Sequence, residues 1–482
     1  MSLSNSKKKK AKRKKAKRKA ITISIADSRH HHDLKRRECI YRPFGVIDTS
    51  SPAWIEATKN AVSLDEIEEA LLPRNIKHLL EAKNSPFNRE YLPSNAFTAE
   101  RTLVVPRVFS IIKNERESYP FLKDLISTLI HQDCNKVVMD YSGCVDCDLL
   151  TQVVLDSILI DYKSFVQKCK SAGKIGRICI SDFGAKNYND IHIQRMINSV
   201  GSPVELKIRK MEYDEVIPFN LLRFDAKNAT YEKRLTRKGI DSTRCLEYVN
   251  SCLERMNKTL TRDALKELGY VVGETIINAE EHSSLKYRYM VGYFEESHDK
   301  ANHYGYLNLV IMNYGKTIYE KFKYPSSDEP VNLVCLQQMK DLSVQFENKR
   351  FFSKNSTTEE NLWTLYSLQQ GVTCIPDKER GNGTIEFIDS FFKLKGSNSV
   401  DDESKMYILS GNTVIEFDGK YRVSSKAEAN GKPRVIAFND SGSLYEKPDS
   451  RYVRNSSQYF PGTAIFVRLL LNEDDIQQQN KQ

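Results

Sequence analysis

The sequence predicts an α/β protein in which a small α/β domain precedes a two-layer α/β sandwich. Strand-like segments alternate with helical segments between residues 101 and 225, whereas helices precede a series of strands between residues 226 and 475. The length of 482 residues also exceeds one ordinary core, because a domain usually holds roughly 100–200 residues. We therefore expect two or three domains.

The first 40 residues are predicted to form a disordered polybasic tail. Residues 7–19 contain eleven Lys or Arg residues and no acidic residue. The net charge of the chain is +10, so the remainder is close to −1, and only the tail favours contact with nucleic acid or an anionic surface. A solubilising arm is the alternative interpretation.

The composition favours a cytoplasmic protein without a membrane span. No run reaches the roughly eighteen apolar residues of a spanning helix. The ten cysteines form no disulfide framework, and the CxxC pair Cys144 and Cys147 is better explained by two buried thiols than by zinc or redox chemistry. Residues 30–32 are three histidines which, with Cys39, could bind a metal, although a histidine run in a flexible arm usually means little.

Residues 41–100 are predicted to be a helical segment followed by a linker. The helical pattern covers 53–85, where Ser63 and Glu66 have the spacing of a capping box. Residues 86–100 are rich in Pro, Asn and Ser, as is typical of a linker.

Residues 101–225 are predicted to form the small α/β domain, with a parallel or mixed sheet. Pro218 and the Lys- and Arg-rich stretch 225–241 indicate its C-terminal boundary. The strand-like segments are LVVPRVFSII, KVVMDYS, GRICISDF and VELKI, and the helical segments between them are SYPFLKDLISTLIHQ, DLLTQVVLDSILIDYKSFVQKC and DIHIQRMINSV.

Residues 226–475 are predicted to begin with helices at about 243–257 and 262–283. Thr261 suits the N-cap of the second helix, whose apolar stripe is Leu265, Leu268, Val272, Ile276 and Ala279. Two neighbouring strands follow, YRYMVGYFEE and YGYLNLVIMN, and then a helix, a long polar segment and a further helix. The remaining strands are MYILSG, TVIEF, YRV after a hairpin turn at Asp418-Gly419, and GTAIFVRLLL. Helices followed by antiparallel strands predict a two-layer sandwich.

Three polar residues line one stripe of the 262–283 helix. Glu274, Asn278 and His282 are spaced i, i+4 and i+8. A carboxylate there can take a proton from an attacking water, and an amide oxygen can bind Mg²⁺. The stripe is therefore a candidate site.

Three later segments could complete a nucleotide site, although each is weak alone. A polar residue and a glycine at the end of a strand can approach a base, and glycines that open a helix can contact phosphate. Ordinary turns are the alternative interpretation. The residues concerned are Asn313, Gly315 and Ile318, then Arg380, Gly381, Gly383 and Thr384, and finally Thr463 after Gly462.

In order and spacing, the four segments resemble the N, G1, G2 and G3 boxes of GHKL ATPases, the Bergerat-fold group that includes gyrase, MutL and histidine kinases. The resemblance covers about residues 240–475. It implies ATP and Mg²⁺ as cofactors, with Glu274 as general base and Asn278 as the metal ligand. The other residues would shape the nucleotide pocket: His282, Asn313, Gly315, Ile318, Arg380, Gly381, Gly383, Thr384 and Thr463.

The sequence departs from this family at one position and lacks one feature of its kinases. Most members have Asp where this chain has Asn313, whose side-chain oxygen can still accept a hydrogen bond from adenine. Residues 319–380 would form the lid over the phosphates. The helix at 243–257 has no histidine, so an autophosphorylating histidine kinase is not expected.

The segment KVVMDYSGC and the long helix after it resemble a STAS domain of anti-sigma-factor antagonists. That family has Asp-Ser-Ser where this chain has Asp148-Leu149-Leu150, and only Thr151 lies nearby. The resemblance therefore implies docking more than self-phosphorylation.

Together these features predict an ATP-binding, slowly hydrolysing GHKL ATPase whose nucleotide state controls contact with a macromolecular partner, most simply a protein. The GHKL resemblance also implies that the chain could form a homodimer, although the sequence shows no coiled coil or other dimer element. The alternatives are an anti-sigma-type serine/threonine protein kinase and a non-enzymatic nucleotide-sensing scaffold.

Overall fold

The computed structural model describes most of the chain from Leu72 to Glu473. The polybasic tail, the Ser63–Glu66 capping box and the site candidates His282, Arg380 and Gly381 lie outside the described residues. These are 72–93, 96, 98–131, 134–171, 180, 182–206, 211–281, 283–298, 302–325, 331–349, 357–373, 383–394, 400–424 and 433–473.

Helices and strands mix along the described chain, which confirms the α/β class. The helices are α1 (Arg74–Glu81), α2 (Glu115–His131), α3 (Leu149–Ser171), α4 (Ile191–Val200), α5 (Ser202–Glu205), α6 (Tyr231–Arg255), α7 (Arg262–Glu281), α8 (Ile318–Lys323), α9 (Leu333–Asn348), α10 (Glu359–Ser367) and α11 (Gly383–Leu394). The strands are β1 (Thr98–Val104), β2 (Val108–Phe109), β3 (Cys134–Asp140), β4 (Asp146–Cys147), β5 (Asp182–Lys186), β6 (Val216–Asp225), β7 (Tyr287–His298), β8 (His303–Tyr314), β9 (Lys405–Phe417) and β10 (Val453–Asn472).

The strands form one parallel sheet, one antiparallel sheet and a short parallel pair. The parallel sheet has the order β1-β3-β5, with α2 and α3 as crossover helices. The antiparallel sheet has the order β6-β7-β8-β10-β9, and β2 pairs with β4. The N-terminal region thus has the parallel sheet that βαβ patterns favour, and the C-terminal region has the antiparallel one.

Two segments of the N-terminal region differ from the prediction. Ser202–Glu205, at the start of the predicted strand VELKI, forms the short helix α5, which Pro203 suits because its position in the first turn needs no N–H donor. The third parallel strand is described from Asp182 onwards, at the end of the predicted GRICISDF strand.

The stretch predicted as a domain boundary is ordered structure. Helix α6 begins at Tyr231, and the Thr230 hydroxyl caps it by accepting the Lys233 N–H (3.3 Å). Strand β6 carries Pro218 and pairs with β7, so it belongs to the antiparallel sheet. It is the edge strand of that sheet, where a proline is tolerated.

The prediction of a hairpin with a turn at Asp418-Gly419 is wrong. The two short strands expected before this turn are one strand, β9, which continues through Gly411 at φ +59°. Its antiparallel partner is β10, and register shifts near Phe460 mark a bulge. Residues 421–423 form no strand; the Tyr421 ring instead packs edge-on against that of Tyr452 (5.2 Å).

Both faces of the antiparallel sheet are covered. Met290 and Phe294 pack in a core with α6, α7 and α11, whereas the alternate residues Tyr289 and Val291 pack against α1 and α3. On the second face, the Tyr289 hydroxyl donates to Asp161 of α3 (2.8 Å). The C-terminal region is therefore a two-layer sandwich whose other sheet face is closed by the N-terminal region. No helix among the described residues is both long and apolar enough to cross a membrane.

Candidate functional site

Helix α7 presents two of the three stripe residues. The Ala264 N–H donates to Thr261 Oγ1 (3.3 Å), as expected for the predicted helix start. Leu268 and Val272 are buried, but Leu265, which was predicted to lie in the apolar stripe, is 38 % exposed. The buried face leaves Glu274 and Asn278 partly exposed, one helical turn apart.

The N-terminus of α11 approaches these two side chains closely. A Cβ atom at Gly383 would lie 3.0 Å from Glu274 Cβ and 3.3 Å from Asn278 Nδ2. Thr384 follows at the second position of α11 and is partly exposed. The structure thus brings the stripe and the segment that begins at Gly383 together, and a side chain at Gly383 would require its neighbours to shift.

A lysine that was missed in the sequence lies beside the stripe. Lys238 Nζ of α6 donates to Glu274 Oε1 (3.2 Å), and both side chains are about a quarter exposed. Gly273 makes room for it, since a Cβ there would lie 2.8 Å from Lys238 Cε. The stripe therefore combines a carboxylate, an amide and a cation. No sequence signal singled out Lys238, which lay in the stretch interpreted as a boundary.

Asn313 and Thr463 lie side by side on neighbouring strands next to the C-terminal half of α7. They are register partners in β8 and β10. Asn313 is buried, and its Nδ2 donates to the Ala279 carbonyl of α7 (3.1 Å). Its side-chain oxygen is consequently the atom that can accept a hydrogen bond from a ligand.

Gly315 makes a turn that other residues would strain. Its φ is +135°, and a Cβ there would lie 2.7 Å from Ser284 Oγ. Its N–H donates to the Pro461 carbonyl (3.1 Å), so the end of β8 is tied to β10. Gly315 thus allows the chain after Asn313 to pass close to the end of α7.

A serine that the sequence did not reveal connects Ile318 to Thr463. Ser410 Oγ of β9 accepts the Ile318 N–H (2.9 Å) and lies 2.9 Å from Thr463 Oγ1. Ile318 thus contributes its backbone to the site through the start of α8. The predicted adenine end is therefore built from three adjacent elements.

The predicted lid region contains helices with a small core of their own. Phe322, Met339, Phe346 and Trp363 belong to this core, and the Trp363 indole donates to Ser343 Oγ (2.6 Å). Helix α10 belongs to this region, and its Leu362, Trp363 and Leu365 are buried. Residues 374–380 of the proposed lid lie outside the described part of the chain.

A buried charge cluster supports the packing of α6 on α7. Arg288 of β7, which has no exposed surface, pairs with Asp241 of α6 and Glu280 of α7. Burial raises the pKa of Glu280, although Arg288 opposes that shift. The cluster fixes the two helices that carry Lys238 and Glu274.

The N-terminal residues considered as a phosphoacceptor or as metal ligands are buried or half-buried. Thr151 has no exposed surface, and its hydroxyl oxygen accepts the Ile111 N–H (2.8 Å). Cys144 is buried and Cys147 is half-buried, and both are free thiols. Burial raises the pKa of the Cys147 thiol well above its usual value.

The arrangement can bind an anion and a hard cation beside a carboxylate. Oxygen atoms of Glu274 and Asn278 suit Mg²⁺, and Lys238 suits phosphate oxygens. Comparison with known proteins does not identify this site, since no family model, curated protein or solved structure matches the chain.

Proposed function

We propose that this protein is an ATP-binding ATPase of the GHKL type, with a Bergerat-fold C-terminal domain, whose nucleotide state controls contact with a protein partner. The observation that carries the proposal is the meeting of four segments, which are far apart in the sequence, around α7. Glu274 and Asn278 meet Gly383 at one part of this helix, and Asn313 contacts it at Ala279, beside Thr463.

The residues present fit Mg²⁺ and a nucleotide. The Asn278 amide provides an oxygen ligand of the kind that Mg²⁺ prefers, beside the carboxylate of Glu274. The space beside Gly383 would be filled by any Cβ, which supports a role for the bare backbone there. When bound, Mg²⁺ and ATP would supply a polarised phosphoryl group.

The chain's own residues would then orient and activate water. Lys238 holds Glu274 Oε1 at 3.2 Å and so orients the carboxylate that would accept a proton from water. Asn313 would accept a hydrogen bond from the adenine amino group, and Thr463 supports that end through Ser410. N–H groups at the start of α11 would face phosphate oxygens.

The buried state of Thr151 argues against it as a phosphoacceptor. Its hydroxyl has no exposed surface and serves the Ile111 N–H instead of solvent. A STAS-like N-terminal region would therefore act by docking. The described contacts place it against the sheet face opposite α7.

The test compares ATP binding and turnover in Glu274→Gln and wild type. Glu274→Gln should keep the rise in melting temperature that Mg²⁺ and ATP cause, because binding to the native state stabilises it. Its phosphate release should fall by about 10²–10⁴-fold, the usual contribution of a general base. Glu267→Gln, an exposed change on the same helix that weakens only a surface contact with Lys393, is the matched control.

The three alternatives give different results in this assay. Phosphate release that depends on Glu274 supports the ATPase. Transfer of labelled phosphate to a protein in cell extract, in place of release, supports a kinase. Binding without either reaction supports a sensor, and the absence of any ATP-dependent stabilisation in wild type would refute the proposed site.

A further inference from the structure

Two histidines and two carboxylates converge at the far end of the antiparallel sheet. His298 ends β7 and His303 begins β8, and they are register partners across the hairpin. Both rings direct Nε2 to Glu296 Oε1 (2.9 Å each), and the three ligand atoms lie within 4.8 Å of one another. The cluster is ten residues of strand away from Asn313, or about 30 Å.

Each ring nitrogen of His303 faces a carboxylate. Its Nδ1 lies 3.4 Å from Glu473 Oε2, while its Nε2 faces Glu296. A neutral imidazole has one N–H and can donate to only one of them, so either a second ring proton or a metal ion on Nε2 satisfies both. A metal ion is an alternative that the second histidine, His298, also favours, because its Nε2 faces the same Glu296 oxygen.

Neighbouring charged residues hold Glu296 and His303 in place, as the residues behind the ligands do in metal sites. Arg255 Nη1 holds Glu296 Oε2 (2.9 Å), which leaves Oε1 directed at the two histidines. Glu473 behind Nδ1 matches the carboxylate that commonly orients a zinc-bound histidine. Glu473 is itself held by Asn257 (3.3 Å).

The separations and charges suit zinc. Tetrahedral zinc with bonds of about 2.0–2.1 Å requires ligand atoms about 3.3 Å apart, so the two nitrogen–oxygen contacts of 2.9 Å need a small expansion. The two imidazole rings stack with their centroids 4.2 Å apart, so one ring must also tilt for both Nε2 atoms to face one ion. Two carboxylates against one arginine leave one excess negative charge near the two imidazoles. The His298 side chain is 63 % exposed, which gives the ion a path from solvent.

We propose that His298, His303 and Glu296 form a zinc-binding site, positioned by Glu473, that fastens the β7–β8 hairpin to the end of β10. Two imidazoles and one carboxylate are typical zinc ligands, and water would complete the coordination. The proposal is independent of the nucleotide site, because none of these residues belongs to it.

The test is a zinc titration of the full chain without nucleotide, after chelator treatment, against a chromophoric competitor. His303→Gln should bind one zinc equivalent fewer than wild type, and Glu473→Gln should bind about 10–100-fold more weakly. His192→Gln is the matched control, since it breaks another exposed histidine–carboxylate contact, with Glu295, at 2.9 Å. The histidines at 30–32 are present in every variant and so cancel in the comparison.

A second readout distinguishes ligation from misfolding. Co²⁺ in place of zinc should give the visible absorption of a tetrahedral site in wild type and His192→Gln, and this absorption should be lost in His298→Gln while its circular dichroism is unchanged. Equal zinc stoichiometry in wild type, His298→Gln and His303→Gln would overturn the proposal and leave a hydrogen-bonded histidine pair.

Discussion

Replacing Gly383 by alanine tests the close approach of α11 to α7, on which the proposed site depends. The new Cβ would lie 3.0 Å from Glu274 Cβ and 3.3 Å from Asn278 Nδ2. Carbon atoms in contact are normally about 3.5–4.0 Å apart, so the Glu274 side chain or one of the helices must shift by a few tenths of an ångström. We expect this movement to disturb both folding and ATP binding.

The expected change in the free energy of unfolding depends on two opposing effects. Overpacking of this kind costs about 1–3 kcal/mol. Alanine in place of glycine favours folding by about 1 kcal/mol in a helix interior and by less at Gly383, which is the first residue of α11. The free energy of unfolding of Gly383→Ala should therefore fall by about 0–3 kcal/mol, and its ATP-induced rise in melting temperature should be lost or reduced.

The assay is urea unfolding followed by circular dichroism, with Gly239→Ala as the matched control. Gly239 lies in α6, and a Cβ there would meet no atom within 4 Å. Gly239→Ala should thus be stabilised by about 0.5–1 kcal/mol and keep its response to ATP. If Gly383→Ala is stabilised equally and responds to ATP like wild type, the close approach is refuted.

Two further predictions concern buried charges. Burial raises the pKa of Asp156 to about 7, so the native state binds a proton that the unfolded chain releases near pH 4, and the stability that this group contributes should fall as the pH rises from about 4 to 7. In urea unfolding between pH 5 and 8, Asp156→Asn should remove about 2.5 kcal/mol of this dependence. Asp241→Asn should lower the free energy of unfolding by about 3–5 kcal/mol, measured in the same way, because it leaves the Arg288 guanidinium buried without its α6 carboxylate.

Each of these two variants has a matched control substitution at an exposed residue. Asp146→Asn removes a half-exposed carboxylate near Asp156 in the sequence and should leave the pH dependence unchanged. Glu403→Gln breaks an exposed pair with Arg468 and should cost at most about 1 kcal/mol. Parallel pH curves for wild type and Asp156→Asn, or equal losses in Asp241→Asn and Glu403→Gln, would contradict the reasoning.

Local signals in the sequence were sufficient to predict α7, the helix that carries Glu274 and Asn278. Thr261 and the spacing of Leu268, Val272 and Ile276 predicted the start and the buried face of α7, because capping and periodicity depend on neighbours in the chain. The first half of α6 was missed for the opposite reason. Lys233 is exposed, whereas Arg234, Arg237 and Lys238 are half-buried, and composition alone did not distinguish such a helix from a linker.

The tertiary parts of the site could not be predicted. Lys238 and Ser410 reach it from α6 and β9, and their roles depend on packing between distant segments. MYILSG and TVIEF were predicted as two strands, but the positive φ of Gly411 lets β9 continue beside the irregular part of β10. The sequence did indicate that both faces of the sheet are buried, since LNLVIM lacks the alternation of apolar and polar residues that is typical of a strand with one solvent-exposed face.

The position of β10 between β8 and β9 affects how the protein folds during synthesis. β10 is the last described strand to be made, yet it is an inner strand, and its Phe460, Ala464 and Phe466 pack in the core shared with α3. At ~5–20 residues per second, the roughly 300 residues between α3 and β10 take about 15–60 s to translate. Throughout that interval the nascent N-terminal region has an apolar surface without its final cover, and a molecular chaperone has a defined surface to protect.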